Sequence, residues 1–153
     1  MLTFSKGITK AQMQAEIKQH EKMDAFRQGY YFGRGKGCTL GCCIKSICNI
    51  KNISLSYSDH LLFEEHLGLP YWIAKLADSI FEGLSTNHAK KWTGRFINAV
   101  VEGSDVSSIQ NEFLARVIES TFNSYDNIRF KKLKNVQEMV IAGLREGDKN
   151  KIE

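Results

Sequence analysis

The stretch LPYWIAKLADSIFEGL, residues 69–84, decides the fold class. Pro70 suits the first turn of a helix, because that position needs no backbone N–H. Apolar side chains then recur along one side of the stretch, at Ile73, Leu76, Ala77, Ile80 and Leu84. This spacing of three and four residues is typical of a helix that packs one face on a core. The stretch therefore predicts a helix with a buried stripe.

Helical patterns recur along the rest of the chain, and no stretch reads as a convincing strand. Caps support them, since Asp59 can begin a helix and Gly68 can end it. The predicted helices cover about 9–27, 59–67, 70–84, 87–103, 104–122 and 133–144. They predict a compact all-α bundle of five or six helices in one domain, residues 1–153. The polar tail, about 146–153, is expected to fray.

Composition places the chain among ordinary globular proteins. Its 153 residues are 42% hydrophobic and 25% charged. The N-terminal stretch MLTFSKGITKAQMQAEIK lacks the apolar segment of a secretory signal, and no run reaches the roughly 18 apolar residues of a membrane span. We therefore expect a cytoplasmic protein without a membrane segment, whose cysteines are free thiols or ligands rather than disulfides.

Charge is distributed unevenly along the chain. Residues 1–51 carry nine lysines or arginines and three acids, whereas residues 52–124 carry five and nine. This favours self-complementary packing over a nucleic-acid footprint, and the net charge of +4 does not require a polyanionic partner. The segment IRFKKLK, 128–134, mixes cations with Phe130 and Leu133 and could bind nucleic-acid phosphates. Such a segment is more often the solvated start of a helix.

The stretch GRGKGCTLGCCIKSIC, residues 33–48, contains all four cysteines of the chain. We interpret it as part of a Gly/Cys-rich loop, about 29–50, after the first helix. Cys38 and Cys42 could bind zinc or another transition metal together with His60 and Glu64, which lie one helical turn apart. The alternative is that small cysteines pack a crowded turn, since free cysteine is often buried.

Two further chemistries fit this loop. Cys42 or Cys38 could be a nucleophile, with His60 as its base, if cations or a helix N-terminus stabilise the thiolate. Alternatively, the loop could hold an anionic small molecule through side chains and backbone N–H groups, supplied by Arg34, Lys36, Gly37 and Gly41. Glycines that serve only a turn of positive φ are the simpler explanation for the last pattern.

Asp78 and Glu82 lie one turn apart on the helix that begins at Pro70, off its apolar stripe. Two neighbouring carboxylates can bind a metal or share a proton. They can equally form a solvated or salt-bridged face whose negative charge compensates the basic N-terminal third. We include both among the ligand-binding candidates, where they would neutralise and orient the basic loop.

Several ordered motifs together resemble a family of small bacterial and phage-associated proteins of uncharacterised function. The shared motifs are a GC-x2-GC element, a His with a Glu four residues on, an LGLP turn and an L-x-D-x-IFEGL helix. The matching positions are Gly37, Cys38, Gly41, Cys42, His60, Glu64, Asp78 and Glu82. The resemblance implies no activity, but it implies that these polar residues converge on one site.

The sequence therefore favours a small binding protein whose ligand or metal site joins the Gly/Cys loop to the His60/Glu64 and Asp78/Glu82 helices. A cysteine-dependent enzyme is the first alternative. The second is a nucleic-acid or protein interaction module that acts through the basic surface at 128–134.

Overall fold

The computed structural model describes residues 1–106, 109–123 and 134–147, without the side chains of 121–123. These residues are mostly helical, which confirms the helical fold class. They contain seven helices rather than five or six, together with one two-stranded antiparallel sheet. Two compact units, Met1–Val106 and Ser107–Glu153, each have their own core. The assignment of all 153 residues to one domain stays a prediction.

The first unit contains five helices and the sheet. In chain order they are α1 (Lys10–Lys22), β1 (Phe32–Gly33), β2 (Lys36–Gly37), α2 (Thr39–Lys51), α3 (Leu61–Leu67), α4 (Tyr71–Gly83) and α5 (Thr86–Ala99). The second unit contains α6 (Gln110–Asn123) and α7 (Lys134–Glu146). None of these helices is long and apolar enough to cross a membrane.

Helix ends in the first unit follow the sequence signals. Thr9 and Gln12 form a reciprocal capping box that begins α1. The carboxylate of Asp59 accepts a hydrogen bond from the backbone N–H of Leu61 at 2.9 Å, and α3 ends at Gly68, whose φ is +66°. Pro70 directly precedes α4, as predicted. Local chemistry therefore fixes where these helices begin and end.

The structure corrects the prediction of a loop over residues 29–50. An irregular segment and a short hairpin separate the first helix from α2, which runs through Cys42, Cys43 and Cys48. α2 lies at the centre of the unit, and its buried members include Leu40, Ile44 and Ile47. The apolar residues that alternate with the cysteines thus belong to a buried helix of the core. Glycine at position 41 suggests a helix break, but here it serves a tertiary contact.

The GRG sequence makes the turn of the hairpin. Phe32 pairs with Gly37 and Gly33 with Lys36, so Arg34 and Gly35 are the two turn residues. Both have positive φ, +50° and +78°, which is the pattern of a type I′ turn. A type I′ turn matches the twist of the strands it joins and needs positive φ at both turn residues. This requirement explains the glycine at position 35.

Gly37 and Gly41 allow the backbone of Tyr31 to approach the start of α2. A Cβ atom at either glycine would overlap the carbonyl oxygen of Tyr31. The backbone N–H of Cys38 is shared between the carbonyl oxygens of Tyr30 and Tyr31, at 3.1 and 3.0 Å. The Tyr30–Tyr31 segment therefore lies directly on the N-terminus of α2.

α1, α3 and α4 pack against α2, and α5 packs against α1 and α4. Phe63 and Phe81 are the largest fully buried side chains of this core. On α4 the buried positions are Ala74, Ala77 and Phe81, so the buried stripe is rotated from the predicted one. Ile80 lies half-buried instead, because α4 must face both α2 and α5.

The N-terminal residues pair with the segment that follows α5. The N–H of Thr3 donates to the Ser104 carbonyl, and the N–H of Gly103 donates to the Thr3 carbonyl, both at 2.9 Å. Leu2 and Asp105 form an antiparallel bridge beside them. Ser104 and Asp105 therefore close the first unit, and the helix predicted over 104–122 begins at Gln110.

The second unit is a pair of helices with a small core of Ala115, Ile141 and Leu144. Arg145 on α7 pairs with Glu112 and Glu119 on α6, at 3.0 and 2.9 Å. Three apolar residues of the stretches predicted as helices, 104–122 and 133–144, are exposed in this unit, namely Ile109, Val117 and Val136. The basic segment 128–134 lies outside the described residues except for Lys134, as does the polar tail from residue 148.

His20, near the end of α1, is buried among aromatic rings. Its side chain packs edge-on against Phe26 and Phe32, and neither ring nitrogen forms a hydrogen bond of good geometry with a described residue, although the Cys42 backbone lies close enough to oppose part of the pKa shift. Burial lowers the pKa of His20 below 6.5, and nearby Glu16 partly opposes this shift. The folded state therefore holds the imidazole neutral.

The substitution Gly41→Ala should destabilise the first unit by about 1–3 kcal/mol, because the added Cβ overlaps the Tyr31 carbonyl. Helix propensity alone predicts the opposite sign, since alanine is favoured over glycine by about 1 kcal/mol. Urea unfolding measures the difference. Gly33→Ala is the control, since its Cβ meets nothing within 4 Å. Equal stability of G41A and wild type would contradict the close approach.

The substitution His20→Leu should reduce the loss of stability in acid. The unfolded state takes up a proton at this site near pH 6.5, whereas the folded state takes it up only at lower pH. The free energy of unfolding therefore falls as pH drops below about 6.5, and His20 contributes to that fall. We expect H20L to be as stable as wild type at neutral pH or more so, because an unpaired polar group is removed.

Urea unfolding at neutral and mildly acidic pH measures this effect. Burial also lowers the pKa values of His60 and His66, so part of the acid sensitivity will persist in H20L. His88, which is exposed, supplies the control variant His88→Gln. A pH dependence identical to that of wild type in H20L would show that His20 is not held neutral by the fold.

Candidate functional site

Three groups that can donate to a metal converge where α2 begins. Cys38 is the N-cap residue of α2, and Asp78 and Glu82 lie one turn apart on α4. The Cys38 sulfur and one oxygen of each carboxylate all lie within 4.8 Å of one another. The i, i+4 spacing places both carboxylates on the same face of α4, and the packing of α4 against α2 brings that face to the thiol.

The Cys38 thiol is almost completely enclosed, with 1% of the residue exposed. Its sulfur accepts a hydrogen bond from the N–H of Gly41 at 3.4 Å, as expected at a helix N-cap. Burial raises the pKa of the thiol far above its usual range, and the neighbouring Asp78 carboxylate raises it further. The helix N-terminus opposes this shift but does not overcome it. Cys38 is therefore a neutral thiol at neutral pH.

Asp78 connects the thiol to His60. One carboxylate oxygen of Asp78 accepts from the N–H of Leu40 at 3.3 Å, and the other lies 3.7 Å from Nε2 of His60. Burial lowers the pKa of His60, although the charge of Asp78 opposes this. The rings of Tyr31 and Tyr71 lie edge-on to the imidazole. His60 is thus a neutral imidazole enclosed by aromatic rings and directed at Asp78.

Glu82 fixes the segment that passes over the end of α4. Its carboxylate accepts a hydrogen bond from the N–H of Gly29 at 2.9 Å. The side-chain amide of Gln28 donates to the carbonyl oxygens of Phe81 and Leu84, both at 2.8 Å. These bonds add side-chain donors to carbonyls at the C-terminal end of α4, where the regular helical hydrogen bonds stop. They also hold the following tyrosines beside the carboxylates.

A cavity of about 310 Å³ opens in front of these groups. Its lining consists of Gly29, Tyr30, Tyr31, Cys38, Asp78 and Glu82. Among the described residues, no lysine or arginine forms an ion pair with Asp78 or Glu82. The cavity therefore presents acidic and aromatic surfaces and favours a cation.

Two of the proposed metal ligands have other partners. The Cys42 thiol is directed at the Gly37 carbonyl oxygen, 3.4 Å away, and burial raises the pKa of this thiol to about 12. Glu64 accepts a hydrogen bond from the N–H of Tyr71 at 3.1 Å and so caps α4. Of the predicted set Cys38, Cys42, His60 and Glu64, the structure brings Cys38 and His60 to Asp78 and directs the other two elsewhere.

The groups proposed to hold an anion are also separated. Arg34 is exposed in the hairpin turn, and Lys36 points to Asp24, with 3.9 Å between the amine and the carboxylate. The N–H of Gly37 donates to the Ala25 carbonyl, and the N–H of Gly41 donates to the Cys38 sulfur. Arg34, Lys36, Gly37 and Gly41 therefore do not form a single anion-binding site.

The sequence did not identify the wall formed by Gly29, Tyr30 and Tyr31. The only local signal is the run GYY immediately before the hairpin, and such a run carries no periodic or ligand pattern. The approach of this segment to α2 depends on Gly37 and Gly41, which lie six and ten residues beyond Tyr31. The wall is thus a tertiary feature.

Comparison with protein-family models, curated proteins and solved structures finds no match to this chain. The chemistry of the site is therefore inferred from its geometry.

All four cysteines are buried free thiols, and we expect them to react slowly in the native protein. At neutral pH, alkylation of Cys38 by iodoacetamide should be more than about 100-fold slower than in the urea-unfolded chain, because burial suppresses both access and ionisation. Mass spectrometry of quenched samples measures each site. Labelling of Cys38 or Cys42 as fast as in the unfolded chain would contradict this and favour the thiol-enzyme alternative.

Proposed function

We propose that this protein binds a divalent transition-metal ion of the zinc type through Cys38, Asp78 and Glu82. The observation that supports this is the convergence of one sulfur and two carboxylate oxygens within 4.8 Å, in the lining of an open cavity. The proposal keeps Cys38 from the ligand set drawn from the sequence and replaces its partners with the carboxylate pair.

The distances suit a shared ion after small movements. Zinc binds sulfur at about 2.3 Å and carboxylate oxygen at about 2.0–2.2 Å, so ligand atoms around a tetrahedral ion lie about 3.4–3.6 Å apart. The observed atoms lie within 4.8 Å of one another, and modest side-chain rotations close the difference. A thiolate among carboxylates favours a transition metal over Mg²⁺ or Ca²⁺, which prefer oxygen alone.

The surrounding hydrogen bonds orient the ligands. Backbone N–H groups of Leu40 and Gly29 donate to one oxygen of Asp78 and one oxygen of Glu82, respectively. His60 contacts Asp78 from the other side, in the position that outer-shell histidines and carboxylates share in metal centres. A bound cation would also favour the thiolate of Cys38 and so oppose the burial and the Asp78 charge that raise the pKa of this thiol.

Three protein ligands leave one coordination position for a tetrahedral ion. In zinc proteins, three protein ligands with an exchangeable fourth position are typical of a reactive centre, whereas structural sites use four. The free position would face the cavity bordered by Tyr30 and Tyr31, which has room for a small ligand. The proposed function is therefore a metal-dependent binding site for a small molecule, in a protein of the reducing cytoplasm where Cys38 stays available as a ligand.

A cysteine nucleophile has less support. The imidazole of His60 faces Asp78 rather than a thiol, and the pKa values of Cys38 and Cys42 are raised rather than lowered. The interaction surface at 128–134 lies almost wholly outside the described residues. The experiments below therefore test metal binding.

Zinc titration followed by calorimetry should show one equivalent bound by the wild-type protein. Asp78→Asn and Glu82→Gln should each lower the affinity at least about tenfold, since each removes a charged ligand. Cobalt substitution gives a second readout, because a thiolate ligand produces a sulfur-to-cobalt charge-transfer band. That band should disappear in Cys38→Ser. Repeating the calorimetry in two buffers of different ionisation enthalpy detects release of the Cys38 proton.

The matched controls are Cys42→Ala and Glu64→Gln, which remove a thiol and a carboxylate of the alternative ligand set. Both should bind zinc as wild type does, once circular dichroism shows that they fold. Loss of binding in these two variants, with D78N and E82Q unaffected, would assign the metal to Cys38, Cys42, His60 and Glu64 instead. Absence of stoichiometric binding by the wild-type protein would overturn the proposal.

A further inference from the structure

A second cavity, of about 380 Å³, lies between the segment that follows α1 and the start of α5. Its lining consists of Asp24, Phe26, Arg27, Gln28, Lys36, Thr86, Ala89 and Lys90. Unlike the metal-site cavity, it has two positive charges in excess, from three cations and one carboxylate. Its volume is in the range of small-molecule sites.

Backbone pairing determines where two of these cations lie. Phe26 bridges to Gly37, and the N–H of Arg27 donates to the Gly37 carbonyl at 2.8 Å. This pairing places Arg27 beside the strand that carries Lys36. Lys90 comes from α5, one turn after Thr86, so both face the cavity from the same side of that helix. Three separate segments thus contribute one cation each.

Asp24 holds the two lysines together. Its carboxylate oxygens lie 2.7 Å from the Lys90 amine and 3.9 Å from the Lys36 amine. Asp24 has a φ of +49°, a conformation that asparagine and aspartate tolerate better than most residues. The guanidinium of Arg27 has no ion-pair partner among the described residues and is available to a ligand.

The N-terminus of α5 adds to this positive field. The side chain of its N-cap residue, Ser85, bonds to the His88 ring at 2.8 Å and does not cap the helix. No described residue accepts from the backbone N–H groups of Thr86 and Asn87. The first turn of a helix attracts negative charge through such groups. Here it borders a cavity already lined by cations.

We propose that this cavity binds the phosphate group of a phosphorylated small molecule. Arg27 forms a bidentate pair with the phosphate oxygens, and Lys36 and Lys90 contribute point charges from the other side. Phe26 and Ala89 supply an apolar surface for the remainder of the ligand. The site needs no metal and is distinct in its residues from the Cys38/Asp78/Glu82 site.

Inorganic phosphate is the probe, titrated into the full chain in the presence of EDTA so that no metal contributes. Chemical-shift changes in a ¹H–¹⁵N NMR spectrum should saturate and should include the amides of Arg27, Thr86 and Asn87. Arg27→Gln and Lys90→Gln should each weaken the affinity about tenfold, because each removes a charge-assisted contact. Lys18→Gln, an equal charge change at an exposed position of α1, should alter it less than about twofold.

Asp24→Asn gives a change of the opposite sign. It frees Lys36 and Lys90 from their carboxylate and keeps a residue suited to positive φ, so phosphate should bind severalfold more tightly. Glu65→Gln, which removes an exposed acid on α3, is the matched control and should have no effect. Shifts that do not saturate, equal weakening by K18Q, or no tightening in D24N would each overturn the proposal.

Discussion

The contact between the carbonyl oxygen of Tyr31 and the N-terminus of α2 is the constraint on which the site depends. This oxygen accepts from the N–H of Cys38 and occupies the space that a Cβ atom would take at Gly37 or Gly41. One contact therefore fixes the thiol and the tyrosine wall together. Its cost is a glycine inside a core helix, which lowers the intrinsic stability of that helix by about 1 kcal/mol.

The sequence predicted what local chemistry determines and missed what tertiary approach determines. The limits of α3 and α4 follow from Asp59, Gly68 and Pro70, and the pairing of Asp78 with Glu82 follows from helical spacing. α2 was predicted as a loop because its glycine suggests a helix break. The reason for a glycine at position 41, the close approach of the Tyr31 backbone, is a tertiary contact that the sequence does not reveal. The meeting of Cys38 with Asp78 joins positions forty residues apart, and no local pattern specifies it.

The irregular segment between α1 and β1 borders two cavities of opposite charge. Its first half, with Asp24 and Arg27, lines the basic cavity, and its second half, with Tyr30 and Tyr31, lines the acidic one. Among the described residues at these two cavities, the cations of the basic N-terminal third do not form ion pairs with the acids of the middle. Lys90 pairs with Asp24, whereas Asp78 and Glu82 have no lysine or arginine partner among the described residues.

The pairing of Thr3 with Gly103 and Ser104 has a consequence for synthesis of the protein. Thr3 is fully buried, and its backbone partners are among the last residues of the first unit to be translated. On the ribosome, Leu2 and Thr3 remain without these backbone partners until residue 105 has left the exit tunnel. At about 5–20 residues per second, that delay lasts seconds, and the first unit completes its fold only when Thr3 pairs with Gly103 and Ser104.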